Sequence, residues 1–494
     1  MRKDVVVAAA VATAATVVVV AEVVRRRQRR RERQWKKAQN ILRKFARECA
    51  TPVPNLWQVA NALVSDMQAA LSSAPPETGG AALTMLVSYV ASLPTGDEEG
   101  VYYGINLKGT NFLMIRGQLE GKNHNISEPL KEEVAIPSAL MAATTQELFD
   151  YIAAELAQFV STDSAIVNET AGREKILGFT LSLPVEQDAA SSATAIRWKS
   201  LSIDDPVEKE LVNDINRALQ KHGLDMRVFA LVDDTIGRLA GGRYYSRDSV
   251  AAVTLGMGTN AAYVEPAHAV PKWSGPSPNS GEMVLNMEWA NFSSSHLPVT
   301  EFDISLDAES SNPGTQTFEK LISGMYLGEI VRRVLLKMAQ QTALFGDIVP
   351  PMLMVPYQLR SPDMAAMHQD TSEDREAVGE KLKEIFGVED CSPMVREVVA
   401  EVCDVVAERG ARLVGAGMVG IVKKLGRIKG KRSVITVEGG LYEHYRLFRN
   451  YMHSSVWEML GNELADNVVI DHSHGGSGAG ALFLAASQTL NHDS

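Results

Sequence analysis

The 494-residue chain has only three cysteines, Cys49, Cys391 and Cys403. They are far apart and form no C-x-x-C pair, so neither a disulfide framework nor a cysteine zinc site is expected. The chain reads as one kept in a reducing compartment. No G-x-x-x-x-G-K-[ST] is present, which excludes a Walker-type phosphate loop. Positive charge is not in excess: 49 Lys and Arg stand against 60 Asp and Glu, a formal net charge of −11. A net-acidic body excludes nucleic acid as a partner of its general surface, though not a small anionic ligand in a local pocket. With 45% hydrophobic and 22% charged residues, the composition excludes disorder throughout, collagen-like repeats and a multi-span membrane protein. The length predicts two or three domains.

One long apolar run is present, at residues 5–21 (VVVAAAVATAATVVVVA), followed by a basic stretch, Arg25–Lys37, with nine basic residues and one acid. As a helix, 17 residues span about 25 Å, just short of a bilayer's hydrocarbon core. A cleaved secretory signal carries its charge first; here the charge comes second, so residues 5–24 are expected to be a retained membrane anchor with the basic flank on the cytosolic side. A non-inserting helix, a nuclear address or a solvated basic arm are the blander readings. Residues 38–68 pattern as amphipathic helix interrupted at Pro52 and Pro54, SSAPPETGG (72–80) as a loop, and the body is expected to begin near Leu83.

The body contains one loop twice. VYYGINLKGTNFLMIRGQL (101–119) and SVAAVTLGMGTNAAYVE (249–265) are each two apolar strands around Gly-Thr-Asn. A single such hairpin would be an ordinary turn. Two, a domain-length apart, predict duplicated α/β halves whose turns aim backbone N–H groups at an anion. KILGFTLSLPV (175–185) is expected to be a buried strand. MRVFALVDDT (226–235) is expected to be one apolar strand ending at Asp233 and Asp234, where a carboxylate suits a catalytic base or, equally, a helix N-cap. RSVITVEGGLYEHY (432–445) and NVVIDHSHGGSGAGALFLAA (467–486) each read as strand, glycine turn and helix, places where a helix N-terminus meets phosphate. FEKLISGMYLGEIVRRVLLKMA (318–339) reads as one helix, near whose start Glu319 also suits the helix dipole.

Together LKGTNF, LSLPV, LVDDT, LGMGTNAAYVE, SGEMVLNMEWANF, SSHLPVTEFD, FEKLISGMYLGEI and VEGGLYEHY resemble the hexokinases, specifically the plant hexokinase and hexokinase-like group, from about Ile41 to Ala486. The resemblance implies an α/β fold of two actin-like (ribonuclease-H-like) lobes around a sugar and nucleotide cleft, plus the N-terminal anchor helix. The expected divisions are the anchor and basic flank at 1–37, a helical segment at 38–96, a small lobe at 97–238 and a large lobe at 239–494, whose C-terminal part returns to the small lobe. It further implies phosphoryl transfer from ATP, with Mg²⁺, to the 6-hydroxyl of a hexose such as glucose. Asp234 is then the general base. Ser182, Pro184, Lys199, Asp233, Asn260, Glu288 and Glu319 are then sugar-side residues. Gly109, Thr110 and Asn111, Gly256, Gly258 and Thr259, Gly439 and Gly440, and Gly476 and Ser477 are then the nucleotide-side residues. No resident metal ligands are assigned. In that group, a valine/alanine anchor followed by basic residues implies the outer mitochondrial membrane, facing the cytosol; a cytosolic chain is the alternative.

The departures cluster on the nucleotide side. Where the family reads L-D-L-G-G-T-N-F-R, this chain has Asn106 for Asp, Lys108 for the first Gly and Leu113 for Arg. Met257 replaces Thr, Glu438 replaces Asp, Ala290 replaces Gly, and Asp233 replaces the Asn before the base. The I-K-W-T-K-G-F segment appears as Ile196–Leu201, one residue short, with Lys199 as its surviving lysine. Three readings follow: a hexokinase of weakened activity, a catalytically silent glucose-binding sensor on an organelle membrane, and an actin-like scaffold without a sugar ligand.

Overall fold

The computed structural model describes residues 2–72, 83–88, 90, 92–141, 143–162, 175–182, 206–229, 231–275, 278–389, 391–473, 475 and 478–489, without the side chains of 2–24 and a few others. The chain forms two compact units. One contains residues 1–50, 298–302 and 327–407; the other contains 51–297, 303–326 and 408–494. In the first, the Arg2–Cys49 helix packs Phe45 edge-on against Phe302, with ring centroids 5.3 Å apart. Among the described residues no helix is long and apolar enough to cross a membrane, and the side chains of the expected anchor, 5–24, lie outside the description.

The second unit holds the described strands: β1 (Leu86–Val87), β2 (Glu99–Lys108), β3 (Asn111–Glu120), β4 (Ser127–Ala135), β5 (Lys175–Ser182), β6 (Met226–Arg227), β7 (Leu231–Asp233), β8 (Ser249–Leu255), β9 (Thr259–Pro266), β10 (Glu282–Asn286), β11 (Ser433–Glu438) and β12 (Val468–His472). They make two sheets, in spatial order β4-β3-β2-β5-β6, with β7 also paired to β5, and β1-β10-β9-β8-β11-β12. Each sheet has the same plan. A three-stranded antiparallel meander, β2-β3-β4 or β8-β9-β10, comes first, and its first strand then pairs in parallel with a later one, β5 or β11. The duplicated Gly-Thr-Asn loops are the first turns of the two meanders. Gly109 and Thr110 form a two-residue turn closed by Lys108 opposite Asn111, and Gly256–Gly258 form a three-residue one closed by Leu255 opposite Thr259.

Two helices join the sheets. Asp234–Tyr245 leaves β7, and Ala479–Thr489 follows β12 and packs on β2 and β5. Their approach is backbone to backbone: a Cβ on Gly480 would lie 2.5 Å from the carbonyl carbon of Gly237, and one on Gly178 of β5 would lie 1.8 Å from the Ala481 carbonyl oxygen. Around this crossing a single core takes Tyr102 and Ile115 from one sheet, Ala252 and Val284 from the other, and Leu239 and Phe483 from the helices.

Two expected elements are divided. The 226–235 run is not one strand: Asn216 takes both backbone groups of Val228, its amide donating to the carbonyl and its oxygen accepting from the N–H, each at 2.8 Å, which interrupts the ladder between β6 and β7. The 318–339 run is two helices, Thr317–Ile322 and Gly324–Thr342, parted at Ser323. The break lets Gly324 and Met325 donate to the carbonyls of Gly256 and Met257 at 2.9 and 3.1 Å, so a helix N-terminus braces the second loop.

Gly178→Ala is expected to cost about 1–3 kcal/mol, because backbone cannot yield as a side-chain tip does. A urea-denaturation midpoint unchanged from the parent would show that the crossing is looser than its geometry.

Candidate functional site

β7 ends at the two acids, and the helix that follows starts on them. Asp233 is the N-cap, its Oδ1 accepting from the Thr235 N–H at 2.8 Å. Capping fixes the first turn, and so fixes Asp234, which is buried, at the helix start. One turn on, Arg238 returns to it: Nη2 donates to Asp234 Oδ2 at 2.8 Å, and Nε donates to Glu438 Oε2 at 2.9 Å. Its Nη1 donates to Thr254 Oγ1, which also meets Thr235 Oγ1 at 2.9 Å. One guanidinium thus ties the end of β7 to β8 and β11, strands of the opposite sheet.

On the large-lobe side, Asn260 opens β9 and donates from Nδ2 to Asn286 Oδ1 at 2.7 Å, and Asn286 donates from Nδ2 to Glu288 Oε1 at 2.8 Å. Glu288 has φ +52°, a left-handed conformation that costs a non-glycine residue about 1–3 kcal/mol and is kept where surrounding structure holds it. Glu319 is 5% exposed, and the Thr259 N–H points at its Oε2 from 3.5 Å. Trp289 Nε1 donates to Thr259 Oγ1 at 2.9 Å, and Thr259 Oγ1 donates to the Thr254 carbonyl at 2.8 Å. This knits the second loop to the strand that Arg238 grips.

The acids feel one another. Burial pushes Asp233 up to about 7, with the carboxylates of Asp234 and then Glu288 adding to it. Burial likewise pushes Glu319 up to about 7, with Glu288 adding and the Thr259 N–H opposing. Ionised carboxylates only accept hydrogen bonds. A polyhydroxylated ligand, which brings several donors and can also accept, suits a site lined by Asp233, Asp234, Glu288 and Glu319.

The nucleotide-side residues frame the same place. Gly439, after β11, has φ +118°, and a Cβ there would lie 2.4 Å from the Leu255 carbonyl, so two glycine loops touch through backbone. Gly440 opens the short Gly440–Glu443 helix. In the first loop, Asn111 Nδ2 donates to Glu133 Oε1 at 2.7 Å and Lys108 Nζ lies 3.5 Å from the same oxygen. Asn106 and Leu113 are buried, and Leu113 packs where a Cβ on Gly478 would come within 2.5 Å of it. Met257, at the tip of the second loop, is 54% exposed. Lys131 on β4 donates to the Gly475 carbonyl at 2.8 Å, and its ammonium is lowered by burial while Glu438 supports its charge and Lys108 opposes it. Tight glycine backbone with Lys108, Lys131 and Arg238 nearby fits a triphosphate. Among the described residues no three His, Cys, Asp or Glu side chains converge as a metal site.

Asp233, Asp234, Asn260, Glu288 and Glu319 are thus brought together, with Gly256, Gly258, Thr259, Gly439 and Gly440 beside them. Gly109, Thr110 and Asn111 form the opposite turn. Ser182 ends β5 opposite Lys108, and its side chain lies outside the described residues, as do Pro184, Lys199, Gly476 and Ser477. The sequence reading passed over Arg238, Lys131, Thr254 and Asn286. Arg238 had a signal, since an arginine four residues after an acid at a helix start faces it. Lys131 had none, because only the sheet pairing brings β4 to the glycine loops.

Two family models, both described as hexokinase, match residues 41–244 and 250–487. The chain is 52% identical over 462 residues to hexokinase-1 of Spinacia oleracea and 52% identical over 463 residues to hexokinase-1 of Arabidopsis thaliana, with 92% of this chain and 92% of the relative covered in both cases. Among solved structures, hexokinase from Schistosoma mansoni complexed with glucose is 30% identical, with a TM-score of 0.73 over 91% of this chain and 99% of that one. A further hexokinase crystal structure is 25% identical, with a TM-score of 0.76 over 92% and 100%. These matches give the actin-like two-lobed fold.

Because Asp233 and Glu319 are raised, the folded chain keeps protons that the unfolded chain releases between about pH 4.5 and pH 7. Stability falls as pH rises through that window. Glu319→Gln keeps the acceptor for Thr259 and removes the charge. It is expected to exceed the parent in stability by about 2–3 kcal/mol at pH 8 and to match it near pH 4. Urea titrations at both pH values check this; an equal difference at both would place the proton elsewhere.

Proposed function

The chain belongs to the hexokinase family, and from that premise we propose that it transfers the γ-phosphoryl group of Mg·ATP to the 6-hydroxyl of a hexose, glucose, with weakened turnover. The carrying observation is the cluster itself: Asp234 at a helix start, Asn260 in β9, Glu288 in a turn and Glu319 in the Thr317–Ile322 helix, with Asn260 linked to Glu288 through Asn286 and Glu288 acting electrostatically on Asp233 and Glu319.

Hexose hydroxyls donate to Glu288 and Glu319, and charge-assisted bonds of this kind are about twice as strong as neutral ones. Asn260, with Asn286 holding its amide, orients the sugar. Asp234 accepts the 6-hydroxyl proton as that oxygen attacks phosphorus. Phosphoryl transfer requires chiefly positioning and charge stabilisation. The backbone turns at Gly109–Thr110 and Gly256–Thr259 supply the first, and Lys108, Lys131 and Arg238 supply positive charge. Mg²⁺ arrives on the triphosphate and neutralises its oxygens. The reading of weakened turnover is supported by Leu113, which is buried against Gly478 and has no donor to offer. Losing one preorganised donor costs about 10²–10³ in rate.

The second reading, a silent glucose sensor, is favoured by Arg238. Its guanidinium already engages the base and Glu438, so nucleotide has to displace or share it. For placement, the apolar run and basic flank support membrane attachment through residues 5–24, and the resemblance to anchored members of the family points to the outer mitochondrial membrane, with the body in the cytosol.

In a coupled glucose-6-phosphate assay on the full chain, Asp234→Ala is expected to lower kcat by about 10²–10⁴ while glucose calorimetry stays close to the parent. Glu288→Ala is expected to weaken glucose binding about tenfold to a hundredfold. Heat of glucose binding without turnover in the parent chain selects the sensor. Absence of both removes the sugar-kinase reading.

A further inference from the structure

The first unit presents a surface that sugar phosphorylation does not use. Ile348–Val355 (IVPPMLMV) carries no charge. Burying large apolar side chains is favourable, so such a stretch normally turns inward. Here Leu353 is buried, yet Ile348 is 82% exposed, Met354 55%, Met352 42% and Val355 40%. The exposure does not come from a slack loop. Arg332 and Glu329 form a buried bidentate pair, with Nε–Oε2 and Nη2–Oε1 at 2.7 and 2.5 Å. Arg332 Nη1 donates to the Leu353 carbonyl at 2.6 Å, and the Tyr357 N–H donates to Glu329 Oε2 at 2.7 Å. The segment is clamped from beneath at two points while its apolar tips face water.

The same segment lies beside the basic helix flank: Arg30 Nη2 is 3.5 Å from Asp347 Oδ1. An exposed pair of this kind is weak in water, so it marks adjacency rather than holding the loop. Arg30 belongs to the stretch of nine basic residues, and that stretch runs in one continuous helix from the apolar residues 5–21. Ala21 and Arg30 are roughly 13 Å apart along the axis. Exposed apolar tips next to a basic flank match the two layers of an anionic membrane surface, whose headgroups attract nearby Lys and Arg.

We propose that residues 348–355 are a membrane-contact loop, with Ile348, Met352, Met354 and Val355 entering the interfacial layer of a bilayer whose anionic headgroups the Arg25–Lys37 flank meets. The proposal rests on the anchor reading for where the membrane lies. It goes further in assigning the folded body a second contact, which fixes its orientation on the surface.

Amide hydrogen exchange on the full chain, free and on vesicles of mixed phosphatidylcholine and phosphatidylserine, tests it. Residues 348–355 are expected to exchange several-fold more slowly on the vesicles. Ile348→Asp combined with Met354→Asp is expected to remove that slowing and to lower the salt-resistant bound fraction several-fold, with the melting temperature unchanged; Ile348→Asp alone serves if the pair unfolds the chain. A bound chain whose 348–355 amides exchange as in the free protein overturns the loop and leaves the anchor. Slowing that appears in concentrated protein without vesicles overturns it in favour of a second copy. Equal slowing on phosphatidylcholine alone removes the anionic match. No association at all removes the anchor and the loop together.

Discussion

The site depends on two helices touching through their backbones. Each sheet ends its parallel strands near the other only because Asp234–Tyr245 and Ala479–Thr489 cross where neither has a side chain, at Gly237 and Gly480. A methyl group at the crossing would push the two meanders apart by part of a bond length. Arg238 has little such slack, since it reaches Asp234 on its own helix and Thr254 and Glu438 on β8 and β11 at once. The close crossing and the three-way arginine are therefore one constraint seen at two places, one made by the absence of side chains and one by a long side chain.

Within that frame the charges are arranged unevenly. On the sugar side burial raises Asp233 and Glu319 to about 7, with neighbouring carboxylates adding to it. The nucleotide side holds Lys108, Lys131 and Arg238, with Glu133, Asp234 and Glu438 beside them, around loops whose family pattern carries an acid at 106 and a glycine at 108. Asn106 and Lys108 both shift that side toward positive charge. Leu113, standing where the family pattern has an arginine, shifts it back, so the departures do not share one sign.

Much of the fold was legible because it depends on repeated local chemistry. The Gly-Thr-Asn duplication announced two matching hairpins in duplicated halves, since a tight turn between apolar strands needs small and polar residues at its tip. Asp234, Asn260, Glu288 and Glu319 were legible through the family resemblance. What was not legible depended on partners distant in sequence. Nothing in 226–235 says that Asn216 will take the backbone of Val228, so one strand was expected where two stand. Nothing in 318–339 says that Gly256 and Met257 need donors, so Ser323 was not expected to break the helix. The apolar run at 348–355 has the composition of a core segment, and only coordinates show its side chains turned outward.

Leu113 shows how a loss on one side leaves the other intact. It stands on β3 opposite Asn106, where the family pattern has an arginine, and it is buried against the backbone at Gly478. A leucine there contributes burial of about 1.5–3 kcal/mol to the small lobe, so the substitution stabilises the scaffold as it removes a phosphate donor. Asn260 and Glu288 have no such exchange open to them. Their hydrogen bonds run through Asn286, and replacing either by an apolar residue would leave a buried amide or carboxylate unpaired, at about 1–3 kcal/mol. Stability alone therefore opposes loss of the sugar side and favours loss of the arginine. On the function proposed above, that asymmetry would let a glucose site outlast efficient phosphoryl transfer.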